Sequence, residues 1–217
     1  MRLLEITFGA LLSYSPRGNS REMQHSRDVM TALKMDGYVQ DPPILMSEWV
    51  AQTMEGNRAN LPFVAAFPNN AILVPVPSSS LKKEDTLWVP ERIASALARR
   101  GFGTNVVPCL KRVRAVAKAA FSPAQERATV TQHLRSMEVE GSLAPPDDIV
   151  LVDDVVTRGA TLLGAASRLL EVFPKARISG FAAMRTISNP DEFVKIYDPC
   201  IGTIRYREES DDTLRRP

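Results

Sequence analysis

The stretch IVLVDDVVTRGAT, residues 149–161, limits what this chain can fold into more than any other. Ile149, Val150, Leu151 and Val152 run straight into Asp153 and Asp154, and a short polar loop with one glycine follows. An unbroken aliphatic run reads as a strand buried on both faces, the pattern of a parallel sheet covered by helices. The alternation recurs. AILVPVP, NVVPCL, DIVLVDD and RISGFAAMR read as strands, with TLWVPERIASALARRG and GATLLGAASRLLEVF as helices between them. The expectation is an α/β protein of Rossmann-like type, a mainly parallel sheet with helices on both faces. Ligands of such sheets bind at the carboxyl ends of the strands, where Asp153 and Asp154 fall.

Residues 1–68 follow a different rhythm and read as an N-terminal α/β elaboration. LLEITFGALLSY suggests a strand, a helix is expected from about Ser20 to Met35 stopped by Gly37, and the prolines of PPILMSEWVAQTM would open a second helix. A lid, a dimer contact or a partner surface would each fit this part. Residues 69–207 form the expected main domain, and 208–217, within REESDDTLRRP, a flexible solvated tail.

With 217 residues, 44% hydrophobic and 24% charged, the chain can bury a full core. Its formal net charge of +2 does not indicate nucleic-acid binding. Cys109 and Cys200 stand far apart, which fits a reducing compartment, and Glu5 interrupts the apolar N-terminus, so a cytoplasmic protein without a membrane span is expected. His25 and His133 have no second ligand at metal spacing and read as non-metal residues.

Adjacent carboxylates repel, so a protein keeps them at a strand end only where solvent, a cation or ligand donors compensate. Thr157, Gly159 and Thr161 then lead into a helix, whose unpaired N–H groups and positive end favour phosphate. A sugar carrying two hydroxyls and a phosphate satisfies both halves, and ribose 5-phosphate has that layout.

VLVDDVVTRGAT closely resembles the phosphoribosyl pyrophosphate (PRPP) motif of type I phosphoribosyltransferases. The resemblance extends over roughly residues 70–187 and is strongest to stand-alone ComF-like phosphoribosyltransferases, which also carry a VPVP strand before a polar loop. It implies the type I phosphoribosyltransferase fold and a ribose-5-phosphate site at Asp153, Asp154, Thr157, Arg158, Gly159, Ala160 and Thr161. It also implies pyrophosphate contacts at Ser78, Ser79, Ser80, Lys82 and Lys83. The basic segment KRVRAVAKAAFSPAQERATVTQHLRS, with Arg112, Arg114 and Lys118, would form a mobile hood, and Arg127 would join Asp153 and Asp154 in catalysis. Mg2+ would be held through ligand and water, with no direct protein ligand.

Two departures from the family stand out. Arg158 fills a loop place usually taken by a small residue; it could reach a phosphate or a partner's acid, and the expectation is that it points to solvent. The four-cysteine zinc module common in ComF-like proteins is absent, and LLSYSPRGNSREMQHSRDV, with Arg17, Arg21 and Arg27, stands in its place. Thr157 also replaces the acid that serves as proton acceptor in some purine-specific members, so an internal general base is not evident. The functions left open are a Mg2+-dependent phosphoribosyltransferase acting on PRPP and an unknown acceptor, a silent PRPP or nucleotide sensor, and an effector or partner subunit of a larger assembly such as a bacterial defence system. A homodimer is compatible with each, and the basic hood leaves nucleic acid open as a partner.

Overall fold

A computed structural model describes residues 2–39, 41–81, 86–117, 127–141 and 144–217. The central sheet has seven strands. In spatial order they are β11 (Asp212–Arg216), β10 (Tyr197–Arg207), β1 (Glu5–Tyr14), β9 (Arg177–Thr186), β8 (Asp148–Val156), β4 (Ile72–Pro75) and β5 (Asn105–Val106). The five from β1 to β5 are mutually parallel, and β10 and β11 add an antiparallel hairpin at the far edge. This is the expected Rossmann-like α/β sheet.

Helices α1 (Arg21–Met35), α2 (Met46–Gly56) and α3 (Val89–Arg99) cover one face, packing Leu33, Val50 and Ile93 on Leu73, Val150, Val152 and Phe181. The other face carries α4 (Val130–Arg135) and α5 (Ala160–Val172), where Leu162, Leu163, Ala166 and Leu169 meet Phe8, Val74, Ile149 and Leu151. Both faces are covered by helices, which is why the strands read as continuous aliphatic runs. Two short antiparallel pairs complete the fold: β2 (Tyr38–Val39) with β3 (Ile44–Leu45), and β6 (Leu110–Arg112) with β7 (Met137–Val139). Among the described residues no helix is long and apolar enough to cross a membrane.

Helix α1 follows its sequence signals, with Ser20 accepting from the Met23 N–H at the N-terminus. At its C-terminus the left-handed residue is Asp36, one position before the expected Gly37. The Pro42–Pro43 pair does not open α2; Leu45 is its N-cap and Ile44–Leu45 pairs with Tyr38–Val39 first. NVVPCL divides at Pro108, because a proline cannot donate to a ladder, and Leu110 starts the separate β6–β7 pair.

Two expectations about domain organisation are corrected. Residues 1–68 are not a separate elaboration, since β1 lies inside the main sheet between β9 and β10. Its Phe8, Ala10, Leu11 and Leu12 are fully buried in the core. Residues 208–217 are not a free tail, since β11 pairs with β10 from Asp212 to Arg216. The Asp211 carboxylate also accepts from the Thr129 and Thr131 hydroxyls at the start of α4.

Connectivity positions the site. From β4 the chain runs through α3 outward to β5, whereas from β8 it runs through α5 the opposite way to β9. The carboxyl ends of β4 and β8 therefore diverge at a topological switch point, where open α/β sheets form their ligand crevice.

Candidate functional site

Strand β8 delivers Asp153 and Asp154 to the crevice, but the two acids part company there. Successive side chains in a strand point to opposite faces. Asp153 joins His133, Thr157 and Thr161 around a small cavity of about 60 Å³ on the α5 side. Asp154 turns to the α1 side, where both its oxygens accept from Lys34 Nζ at 2.8 Å. Each acid also accepts a backbone N–H, that of Asp154 by Asp153 at 2.9 Å and that of Val155 by Asp154 at 2.6 Å. The sequence expectation has the two acids accept from two hydroxyls of one sugar; strand alternation turns them to opposite faces of the sheet.

Burial pushes the Asp153 carboxyl well above the ordinary carboxylate range, the Asp154 charge adds to this, and Lys34 opposes it. Burial alone would lower the Lys34 ammonium, but its pairing with Asp154 outweighs that and leaves it above its usual value. One carboxyl is thus held near neutrality in a polar cavity, and its neighbour is neutralised by a lysine from the first helix.

Beyond the acids the loop closes on a glycine. Gly159 has φ +92°, and a Cβ there would stand 2.5 Å from Ile204 of β10, so both backbone conformation and space demand glycine. It is the N-cap of α5 and has no side-chain cap, which leaves the first N–H groups of a 13-residue helix for another acceptor. The Thr157 hydroxyl lies 3.1 Å from that of Thr186 on β9, and the Thr161 hydroxyl lies 3.4 Å from His133 Nε2. Ala160 is buried in the same wall.

Arg158 does not point to solvent. It forms an ion pair with Asp212, and its carbonyl accepts from the Thr213 hydroxyl at 2.8 Å, so β11 grips the loop from the sheet edge. The cation in place of a small residue holds down the C-terminal hairpin.

His133 reaches the cavity because of Gly164. A Cβ on Gly164 would lie 2.6 Å from the His133 Cβ and 3.1 Å from the Val130 carbonyl, so this glycine lets α4 sit directly on α5. Burial, with the Arg112 and Arg158 charges adding, lowers His133 to about 3, so it is neutral at physiological pH. Its Nδ1 is buried without a hydrogen-bond partner among the described residues.

The Ser78–Ser80 turn follows β4 across the crevice. Arg112 donates to the Ser78 carbonyl at 2.9 Å and the Pro77 carbonyl at 3.3 Å, and Val116 N–H donates to the Ser79 carbonyl at 2.9 Å. Arg112 is buried in β6 and lowered to about 10 by burial, with Asp153 pulling the other way. It is a strut under the serine turn, held within the β6–β7 pair. Arg114 is exposed, and its N–H meets the Ser136 carbonyl at 3.4 Å. Arg127 precedes Ala128, which lines the small cavity. A larger cavity of about 730 Å³ opens beside the turn, between Ser78, Ser80, Trp88, Leu110 and Arg112. Lys82, Lys83 and Lys118 lie outside the described residues.

Sequence reasoning missed Lys34 and His133. Nothing local marks Lys34, which lies in the last turn of α1 beside buried Leu33. His133 carries no signal beyond its failure as a metal ligand.

No family model and no curated protein matches this chain. Among solved structures, the chain is similar to TT1426 from Thermus thermophilus at 16% identity, over 68% of this chain and 83% of that one. The TM-score of 0.31 is too low for that likeness to carry any argument.

Proposed function

We propose that the chain binds PRPP and transfers its 5-phosphoribosyl group to an acceptor, releasing pyrophosphate. One observation carries the reading. At the switch point, a buried strand carries two acids near its carboxyl end and turns through a left-handed glycine into an uncapped helix N-terminus. The resemblance of VLVDDVVTRGAT to the type I phosphoribosyltransferase motif supports it, and the Pro77–Ser80 turn faces the same crevice from β4.

In this reading the N–H groups of the first turn of α5, with the Thr157 and Thr161 hydroxyls, hold the 5-phosphate. Asp153 accepts a ribose hydroxyl from the cavity side. Burial keeps its carboxyl largely protonated in the free protein, and positive charge developing on the ribosyl carbon favours the ionised form, so the group stabilises the transition state more than the ground state. The turn held by Arg112 presents Ser78–Ser80 to the leaving pyrophosphate, with Arg127, Lys82 and Lys83 as the cations assigned to it.

Among the described residues no group of three His, Cys, Asp or Glu could hold a metal ion, and Asp154 is already paired with Lys34. That donor set suits an ion carried by the ligand and its waters better than one caged by protein, with Asp153 as the nearest carboxylate on the cavity side. Mg2+ bound in that way would supply charge neutralisation to the departing pyrophosphate.

The Lys34–Asp154 pair favours a second reading, a PRPP or nucleotide sensor, because the chain itself neutralises an acid that a transferase would leave for substrate. Pyrophosphate release from PRPP, followed across bases, amines and nucleic acids, separates the two. Acceptor-dependent release that is lost in Asp153→Asn supports transfer. Tight PRPP binding with no pyrophosphate release in the presence of any acceptor supports the sensor.

A further inference from the structure

A second cluster of charge stands beside the loop and takes no part in the phosphate cradle. Arg185 is the next-to-last residue of β9, opposite Val156, and Arg215 on β11 is in register with Ile204. Val156 and Ile204 belong to the apolar layer under α5, so both arginines face that side of the sheet. They meet at Thr186, whose carbonyl accepts from Arg215 Nη2 at 2.5 Å and whose hydroxyl touches that of Thr157.

The two guanidinium groups share too few acceptors. Among the described residues Arg185 has one carboxylate partner, Asp198, and Arg215 donates only to the Thr186 carbonyl. Arg185 Nε, Arg215 Nε and Arg215 Nη1 are buried there without a hydrogen-bond partner. Three such donors in one spot are costly, since each forfeits its hydration for nothing, and native proteins almost always satisfy them. The Phe8 ring lies 6.0 Å from the Arg215 guanidinium and removes more water from it. Burial, with the Arg185 charge adding, lowers Arg215 to about 10, so it remains a cation at neutral pH. Arg185 is 8% exposed, whereas Arg215 is partly exposed and connects the cluster to the surface.

We propose that Arg185 and Arg215 form an oxyanion subsite at the carboxyl end of β9, taking a carboxylate or phosphate group in the fork of their free N–H donors. The subsite adjoins the Thr157 loop through Thr186 but uses none of the α5 N–H groups, so it accepts an anion in addition to the one at the helix. Its assignment to the acceptor rests on the phosphoribosyl-transfer reading; the subsite itself does not. An acceptor bound here would carry an acidic group.

Calorimetry on the full chain tests this, with inorganic phosphate and acetate as probes and ribose 5-phosphate present in excess. The wild type should bind one of the two anions, and the tighter one identifies the site as a phosphate or a carboxylate site. Arg215→Gln should weaken that binding by roughly tenfold or more while ribose 5-phosphate affinity stays within about twofold. Arg215→Lys, which keeps the charge and loses the fork, should weaken it by about threefold and serves if the glutamine variant does not fold. Absence of binding of either anion to the wild type, or equal binding by Arg215→Gln, overturns the subsite. If ribose 5-phosphate fails to bind while anion binding is still lost in Arg215→Gln, the subsite stands and the phosphoribosyl reading falls.

Discussion

Asp153→Asn and Asp154→Asn make the same chemical change at adjacent positions, and the structure predicts opposite effects on stability. Asp153 sits in the α5-side cavity with its carboxyl raised by burial and by Asp154. A raised acid binds its proton more tightly in the folded state, so the folded chain holds more protons than the unfolded chain once pH passes the ordinary value of 3.8. Stability therefore falls as pH rises from there toward neutrality. Each pH unit through the window costs up to about 1.4 kcal/mol, so asparagine should stabilise the fold by about 2–4 kcal/mol at pH 7. The gain should shrink toward zero below about pH 3, where the folded and unfolded acids are both largely protonated. Asparagine also keeps an oxygen for the Asp154 N–H. At Asp154 the change removes the partner of Lys34, whose side chain is 46% exposed and can return to water, so the loss is limited to about 1–2 kcal/mol. Urea unfolding of both variants at pH 4.5 and pH 7.5 reads the difference. Shifts of the same sign at pH 7.5, or a gain at Asp153 independent of pH, would refute the separation of the two acids into different environments.

Gly159→Ala should cost about 2–4 kcal/mol and abolish binding of ribose 5-phosphate, because φ +92° and the Ile204 contact both act against a Cβ; Ile204→Val should recover part of the stability in a thermal melt. Arg158→Ala should release β11, raising amide exchange across residues 212–216 and costing about 1–2 kcal/mol, with slow exchange at β8 unchanged. His133 is depressed in the folded state, so the stability linked to its neutral form is present above pH 6.5 and is lost as pH falls toward 3. His133→Gln should flatten that acid limb in denaturation measured from pH 6.5 to pH 4.

The sheet was legible because its strands are buried on both faces, and aliphatic continuity needs no tertiary information to be read. Gly159 and its threonines were legible for a related reason: a glycine between a strand and a helix signals a backbone requirement local to the chain. The role of β1 was not, because an aliphatic strand near the N-terminus reads the same at an edge as in the centre, and only pairing with β9 and β10 decides between them. Lys34 lies 120 residues from Asp154, and no local pattern encodes an ion pair over that separation. In β11, Thr213 and Arg215 face the loop while Leu214 and Arg216 turn away, an alternation that a charged ending such as DDTLRRP conceals. Arg158 looked anomalous against small-residue loops because its partner, Asp212, was hidden in that same ending.

Calorimetric titration of PRPP into the full chain, with and without Mg2+ and repeated for Gly159→Ala, tests the central claim most directly. One binding event per chain is expected in the wild type, with its loss in a variant that still melts cooperatively. An absence of PRPP binding to the wild type under both conditions, or undiminished binding by folded Gly159→Ala, would contradict it.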